Sequence, residues 1–218
     1  MADNYEKIFV IGFNKCATTT IDCLFRKNDI SSYHHGMKYK IQNWRDLLDK
    51  YKCFSDIVFD IKTIKELDEK YPNSLFILNT RGLKKWIISR FEHGVRGYLK
   101  QDKHNYYPFS EELMISWIKT RKNYYKDVLE YFKNNSHKLI ILNIEGNKWE
   151  NYFIEKLNLK LNINSPANVQ KKSHEYPSIC NSVDKTFNNL KYTNEMQNQL
   201  LLDNDLNDYY LKIYDNNF

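Results

Sequence analysis

Two groups of residues in this chain have the types and the spacing to hold an anion. The first runs Gly12-Phe13-Asn14-Lys15-Cys16-Ala17-Thr18-Thr19. Gly12 permits a tight turn close to a bound group. Lys15 adds a cation, and Thr18, Thr19 and Thr20 offer a cap and first-turn hydroxyls for a helix. Loop amides and the positive end of a helix dipole favour phosphate at such a place. The triphosphate-binding loop closes with Gly-Lys-Ser/Thr. Here Cys16 and Ala17 separate the lysine from the threonines, so the pattern is Gly-x-x-Lys-x-x-Thr-Thr. The second group is Arg81 and Ser89, within Phe76-Ile-Leu-Asn-Thr-Arg-Gly-Leu-Lys-Lys-Trp-Ile-Ile-Ser89. Eight residues are about two helical turns, so the pair can converge on one phosphate, the arginine through a bidentate fork.

Hydropathy patterning supplies the elements that position these groups. Apolar, β-branched runs at residues 8–11, 54–59, 75–78 and 139–142 have the length of buried strands. Helical periodicity marks the segment after Thr18 (Ile21, Leu24, Phe25) and residues 41–51, 61–71, 83–98, 110–134 and 149–157. Pro72-Asn73 stops the third of these, and Ser110 caps the fifth loosely. Residues 28–40 read as an irregular segment or short strand. Its His34 and His35 are candidates to touch a substrate, but the leading expectation is a surface pair, with no His or Cys partner at metal-ligand spacing. Residues 100–109 are polar and aromatic without a period, which predicts a mobile loop over the site. Residues 159–173 read as loop, and a helical tail over 182–218 covers an edge of the sheet. Strands alternating with helices predict an α/β fold, a central parallel sheet flanked by helices on both faces. Ligands then bind beyond the carboxyl ends of strands where strand order reverses, which brings Gly12, residues 56–60 and Thr80-Arg81 together.

With 218 residues and no repeat or linker, the expectation is one domain. A hydrophobic share of 42% and an aromatic share of 15% exclude a disordered chain. The net charge of +6 fits an anionic ligand. No block of like charges points to nucleic acid, and no apolar run spans a membrane. The first residues are not a secretion signal, so the expected place is the cytoplasm. Cys16, Cys23, Cys53 and Cys180 form no CxxC pair or metal set, and reduced thiols are expected. Cys16 and Cys23, if on one helix, would stand about 10 Å apart, too far for a disulfide. The wealth of Asn, Lys, Ile and Tyr fits an AT-rich genome, viral or parasitic.

In order and spacing the two motifs resemble those of the P-loop sulfotransferases, which use 3′-phosphoadenosine 5′-phosphosulfate (PAPS). The Gly12 to Thr19 loop is similar to their 5′-phosphosulfate loop, and Arg81 with Ser89 to their 3′-phosphate motif. Residues 67–74, Trp86, and residues 139–149 followed by Pro166-Ala167-Asn168 also resemble that group. The resemblance implies a P-loop-type three-layer fold and transfer of a sulfuryl group from PAPS to a hydroxyl or amine of a small molecule or glycan. It implies that Asn14, Lys15, Cys16, Ala17, Thr18 and Thr19 bind the phosphosulfate, and that Arg81 and Ser89 bind the 3′-phosphate. Lys15 then neutralises the leaving oxygen. The base that takes the acceptor's proton is Asp56, with Asp60 the runner-up. Lys171 and Lys172 add charge near the nucleotide or are solvated. The product is 3′-phosphoadenosine 5′-phosphate (PAP); no metal, nucleic acid or membrane is implied. Gly82 stands where that family has Asp or Asn, Val58 where it has proline, and Phe54 where cytosolic members carry a second lysine. Three other readings stay open: a P-loop nucleotide kinase, an inactive relative that binds PAP only and, third, a nucleic-acid binder.

Overall fold

The computed structural model describes residues 2–34, 43–99, 110–145, 149–160 and 177–190. In chain order they form β1 (Lys7–Val10), α1 (Thr18–Lys27), β2 (Ser32–His34), a 3-10 turn (Trp44–Leu47), β3 (Cys53–Ser55), α2 (Ile61–Lys70) and β4 (Ser74–Thr80). Then come α3 (Leu83–Leu99), α4 (Glu111–Phe132), β5 (Leu139–Asn143), α5 (Trp149–Leu157) and α6 (Pro177–Leu190). The chain divides into two units, residues 1–81 with 127–171, and residues 82–126 with 172–218.

The first unit holds the sheet. Its five strands run parallel in the order β2-β3-β1-β4-β5. Every residue of β4 is buried, as expected of a strand covered on both faces. On one face Ile8, Val10, Leu75, Ile77, Ile140 and Leu142 pack with Ile21 and Phe25 of α1 and with Phe153, Ile154 and Leu157 of α5. On the other, Phe9 stacks between Phe54 and Phe76 at 5.8 and 5.4 Å. Phe59 and Tyr71 close around Phe9, and Phe132 at the end of α4 lies 4.9 Å from Phe76. Asp68 of α2 accepts a hydrogen bond from Tyr131 at 2.9 Å and pairs with Lys138 at 2.8 Å. The three layers are therefore helix, sheet and helix, as the sequence predicts.

Strand order also fixes where a ligand can enter. Chain leaving β1 re-enters the sheet at β2, on one side of β1; chain leaving β4 re-enters at β5, on the other. Adjacent strands whose connections diverge open a crevice at their carboxyl ends, here between β1 and β4.

In the second unit α3 packs with α6, and Lys84 pairs with Asp184 at 2.5 Å. Arg90 lies over the rings of Trp117 and Trp86, and buried Arg121 over Trp86 and Tyr125. Ser110 caps α4 by accepting from the Leu113 N–H at 3.2 Å.

Some sequence expectations need correction. The helix expected over 41–51 is only the short turn at Trp44–Leu47. Lys7 donates to the carbonyls of Leu48 and Tyr51, and the chain must then turn back into β3. The strand expected over 54–59 ends at Ser55, because Asp56 adopts φ 57° and leaves the ladder. Ile57 and Phe59 remain buried while Val58 is exposed, so the apolar alternation persists without strand pairing. Cys16 precedes α1 rather than lying on it. The tail helix begins at Pro177 and packs on α3. Residues 35–42, 100–109, 161–176 and 191–218 lie outside the described residues, with His35, Pro166, Ala167, Asn168, Lys171 and Lys172 among them.

Candidate active site

The turn between β1 and α1 is built by residues that lean on β4. Gly12 donates its N–H to Asn79 Oδ1 at 2.9 Å, and Asn79 Nδ2 donates to the Cys16 carbonyl at 2.5 Å. One buried amide thus ties both ends of the turn. A Cβ on Gly12 would collide with the backbone oxygen and side chain of Asn79, so the close approach requires glycine. Lys15 and Ala17 hold φ of 66° and 60°, while Asn14 and Cys16 do not share that left-handed geometry. Non-glycine residues there carry strain of about 1–3 kcal/mol each. Such alternation turns successive backbone N–H groups into an anion-binding concavity. Ala17 is the N-cap of α1 and provides no side-chain cap hydrogen bond. The start of the helix therefore presents its dipole and first amides to the turn.

Arg81, just past β4, reaches this turn. Its Nη1 donates to the Lys15 carbonyl at 3.2 Å. Its Nε stands 3.6 Å from Glu145 Oε1, with both side chains largely covered. Glu145 arrives there because β5 runs beside β4 with Asn143 opposite Thr80. Ser89 is half-buried on α3 and belongs to the second unit.

A polar cluster lies on the other side of Thr18. Thr18 Oγ1 donates to Asp56 Oδ1 at 3.3 Å. His34 Nε2 lies 3.3 Å from Thr18 Oγ1 and 3.4 Å from Thr19 Oγ1. The sheet register explains the meeting: His34 ends β2 opposite Ser55, and Asp56 follows. His34 is buried, not a surface residue as its sequence context suggests, and its Nδ1 has no hydrogen-bond partner. Asp60 turns out to be the N-cap of α2, accepting from the Thr63 N–H at 2.7 Å. That backbone bond, then one from the Thr63 side chain, holds its carboxyl below the usual range.

Residues Asn14 to Ala17 thus form the turn and Thr18 and Thr19 open α1 beside it, with Arg81 brought to the turn and Asp56 to Thr18. Asn14 is exposed, Lys15 and Thr19 half-buried, and Cys16 and Thr18 buried. Sequence reasoning gave no site role to Asn79 or Glu145, and offered His34 as a substrate contact only second to a surface pair. Asn79 did leave a signal, a polar residue directly after the apolar run Leu75–Leu78 of β4. Among the described residues no set of three His, Cys, Asp or Glu could hold a metal ion, and no helix is long and apolar enough to cross a membrane. A family model described as a sulfotransferase domain matches residues 11–156, well over half of the chain. Comparison with curated proteins gives no match.

Proposed function

The chain belongs to the sulfotransferase-domain family, and from that premise we propose that it moves a sulfuryl group from PAPS to a hydroxyl or amine of a small molecule or glycan. The observation that carries this reading is the turn itself: left-handed Lys15 and Ala17, a helix start capped by alanine, and Arg81 against the turn. That donor set suits a dianionic group and asks for no metal ion.

PAPS, when bound, supplies an activated sulfuryl group whose departure leaves negative charge on the 5′-phosphate. The residues act on that charge. Backbone amides of residues 14–19 cradle the phosphosulfate, and the Lys15 ammonium neutralises the leaving oxygen. Thr18 and Thr19 add hydroxyls. Arg81 and Ser89 take the 3′-phosphate. Preorganised cations and dipoles at the developing charge lower the barrier most. Asp56, half-buried beside Thr18, takes the acceptor's proton, a contribution of about 10²–10⁴-fold. The free thiols of Cys16, Cys23, Cys53 and Cys180 suit a reducing compartment, and the cytoplasm is the proposed place of action.

The test is turnover of PAPS with a panel of phenols, alcohols, amines and saccharides, read by mass of sulfated product. Lys15→Ala and Arg81→Ala each abolish turnover. Near wild-type rates in both would sink the assignment. Asp56→Asn lowers kcat and spares PAP binding; an unchanged kcat removes Asp56 as the base.

A further inference from the structure

We propose that His34 is a positioning residue for acceptor activation: through the Thr18 hydroxyl it orients Asp56 so that one carboxylate oxygen stays open for the acceptor's proton. The inference rests on the sulfuryl-transfer reading and adds a residue to it.

Three elements converge to make the chain of contacts. His34 closes β2, Thr18 and Thr19 open α1, and Asp56 follows β3. Thr18 Oγ1 donates to Asp56 Oδ1 at 3.3 Å. A hydroxyl has one proton. Having given it to Asp56, Thr18 can meet His34 Nε2, 3.3 Å away, only as an acceptor. The contact with Thr18 therefore favours the tautomer in which Nε2 carries the ring hydrogen and donates it. Thr19 Oγ1, at 3.4 Å, lies within reach of the same nitrogen. Nδ1, on the far side of the ring, is buried without a partner.

Packing does not account for this imidazole. A leucine would fill the space without burying an unpaired nitrogen. The charged groups on and beside the elements against β2 are, on α1, Asp22, Arg26 and Lys27, and, just past β3, Asp56. Asp22 is taken by Ser32 at 2.6 Å and by Arg26 at 2.9 Å. His34 is therefore coupled to Asp56 alone among the described carboxylates. Asp56 sits at φ 57°, the left-handed geometry that carries it out of the β3 ladder toward Thr18. With Oδ1 held by Thr18, Oδ2 is the oxygen presented to the acceptor. The acceptor O–H or N–H bond breaks toward Oδ2 as the acceptor atom bonds sulfur. The electron pair of the broken S–O bond leaves on the 5′-phosphate. A base must stand within hydrogen-bond reach and correctly oriented to do this.

The test reads the imidazole directly. Long-range proton–nitrogen spectra of protein with ¹⁵N-labelled histidine report the tautomer, His34 being assigned by the signal lost in His34→Gln. Wild type shows the Nε2–H form. In Asp56→Leu the Thr18 proton is released to Nε2, and the ring shifts to the Nδ1–H form. A wild-type ring already in the Nδ1–H form, or one unmoved by the change at Asp56, overturns the proposal. A second measurement leaves Asp56 intact and follows PAPS hydrolysis, with water as the acceptor. His34→Leu lowers that rate about tenfold with PAP affinity held within about twofold. His34→Gln, whose amide N–H stands in for Nε2–H, stays within about threefold of wild type. Equal loss in both variants makes His34 a packing residue and overturns the proposal. Failure of wild type to bind PAP refutes the sulfuryl-transfer reading and the proposal with it. PAP binding with the wrong tautomer refutes the proposal alone.

Discussion

Asn79→Ala cuts the tie that holds the turn between β1 and α1 against β4. Asn79 is fully buried, and its amide makes one bond from the Gly12 N–H at 2.9 Å and one to the Cys16 carbonyl at 2.5 Å. Truncation strips a buried donor of its acceptor and a buried carbonyl of this donor. Each such loss costs about 1–3 kcal/mol, so the pair costs about 2–6 kcal/mol. A protein of this size loses about 2–4 °C of melting midpoint per kcal/mol, which sets a drop of at least about 4 °C. Asn79→Asp keeps an acceptor for Gly12 but turns a carboxylate oxygen toward the Cys16 carbonyl, and it should be no milder. The assay is thermal and urea unfolding followed by tryptophan fluorescence, with PAP titration of each variant. Both variants should lose PAP affinity beyond what the midpoint explains, because the turn is then free to relax from its left-handed geometry. A midpoint within about 1 °C of wild type would refute the reasoning, since two buried bonds cannot be lost at so small a penalty.

Other consequences follow from the same contacts. Gly12→Ala forces a methyl into Asn79 and should destabilise at least as much as Asn79→Ala; a wild-type midpoint would contradict the close approach. Asp60→Ala should cost about 0.5–2 kcal/mol at neutral pH through loss of the α2 cap. Because folding depresses the Asp60 pKa, that stability is present above the unfolded value of about 3.9 and lost as pH falls through the folded value, so the two proteins should converge in acid urea melts. Burial pushes the Cys53 thiol far up. It therefore stabilises the fold below the unfolded value of about 8.5 and opposes it as pH rises beyond. Native Cys53 should resist iodoacetamide at pH 8 and react after unfolding, and peptide mapping would reveal the opposite.

Much of the sheet was legible because its strands are short apolar runs, and parallel strands buried on both faces must be so. Residues 75–78 and 139–142 announced themselves this way, and Trp149–Leu157 by its helical period. The turn between β1 and α1 was legible through local spacing alone. What stayed hidden depends on pairing between distant strands. His34 looks like a surface residue until β2 docks beside β3 and brings it to Thr18 and Asp56. Glu145 looks like an ordinary loop carboxylate until β5 pairs with β4 beneath Arg81. In one dimension Asp56 leads Asp60 as the candidate base only by its place in the chain. They separate only when the left-handed turn at Asp56 ends β3 and leaves Asp60 to cap α2. Sequence spacing records local geometry, whereas register is a property of the folded sheet.

The most direct test of the account is thermal unfolding in the presence of PAP, adenosine 5′-phosphosulfate, or ATP with Mg²⁺. A ligand at 100 times its Kd adds about 2.7 kcal/mol, a midpoint shift of about 5–11 °C for a protein of this size. On the proposed function that shift is expected with PAP and little with ATP, because the turn and Arg81 would then serve a nucleotide carrying a 3′-phosphate. A shift with ATP and Mg²⁺ but not with PAP would contradict it and make the chain a nucleotide-triphosphate enzyme.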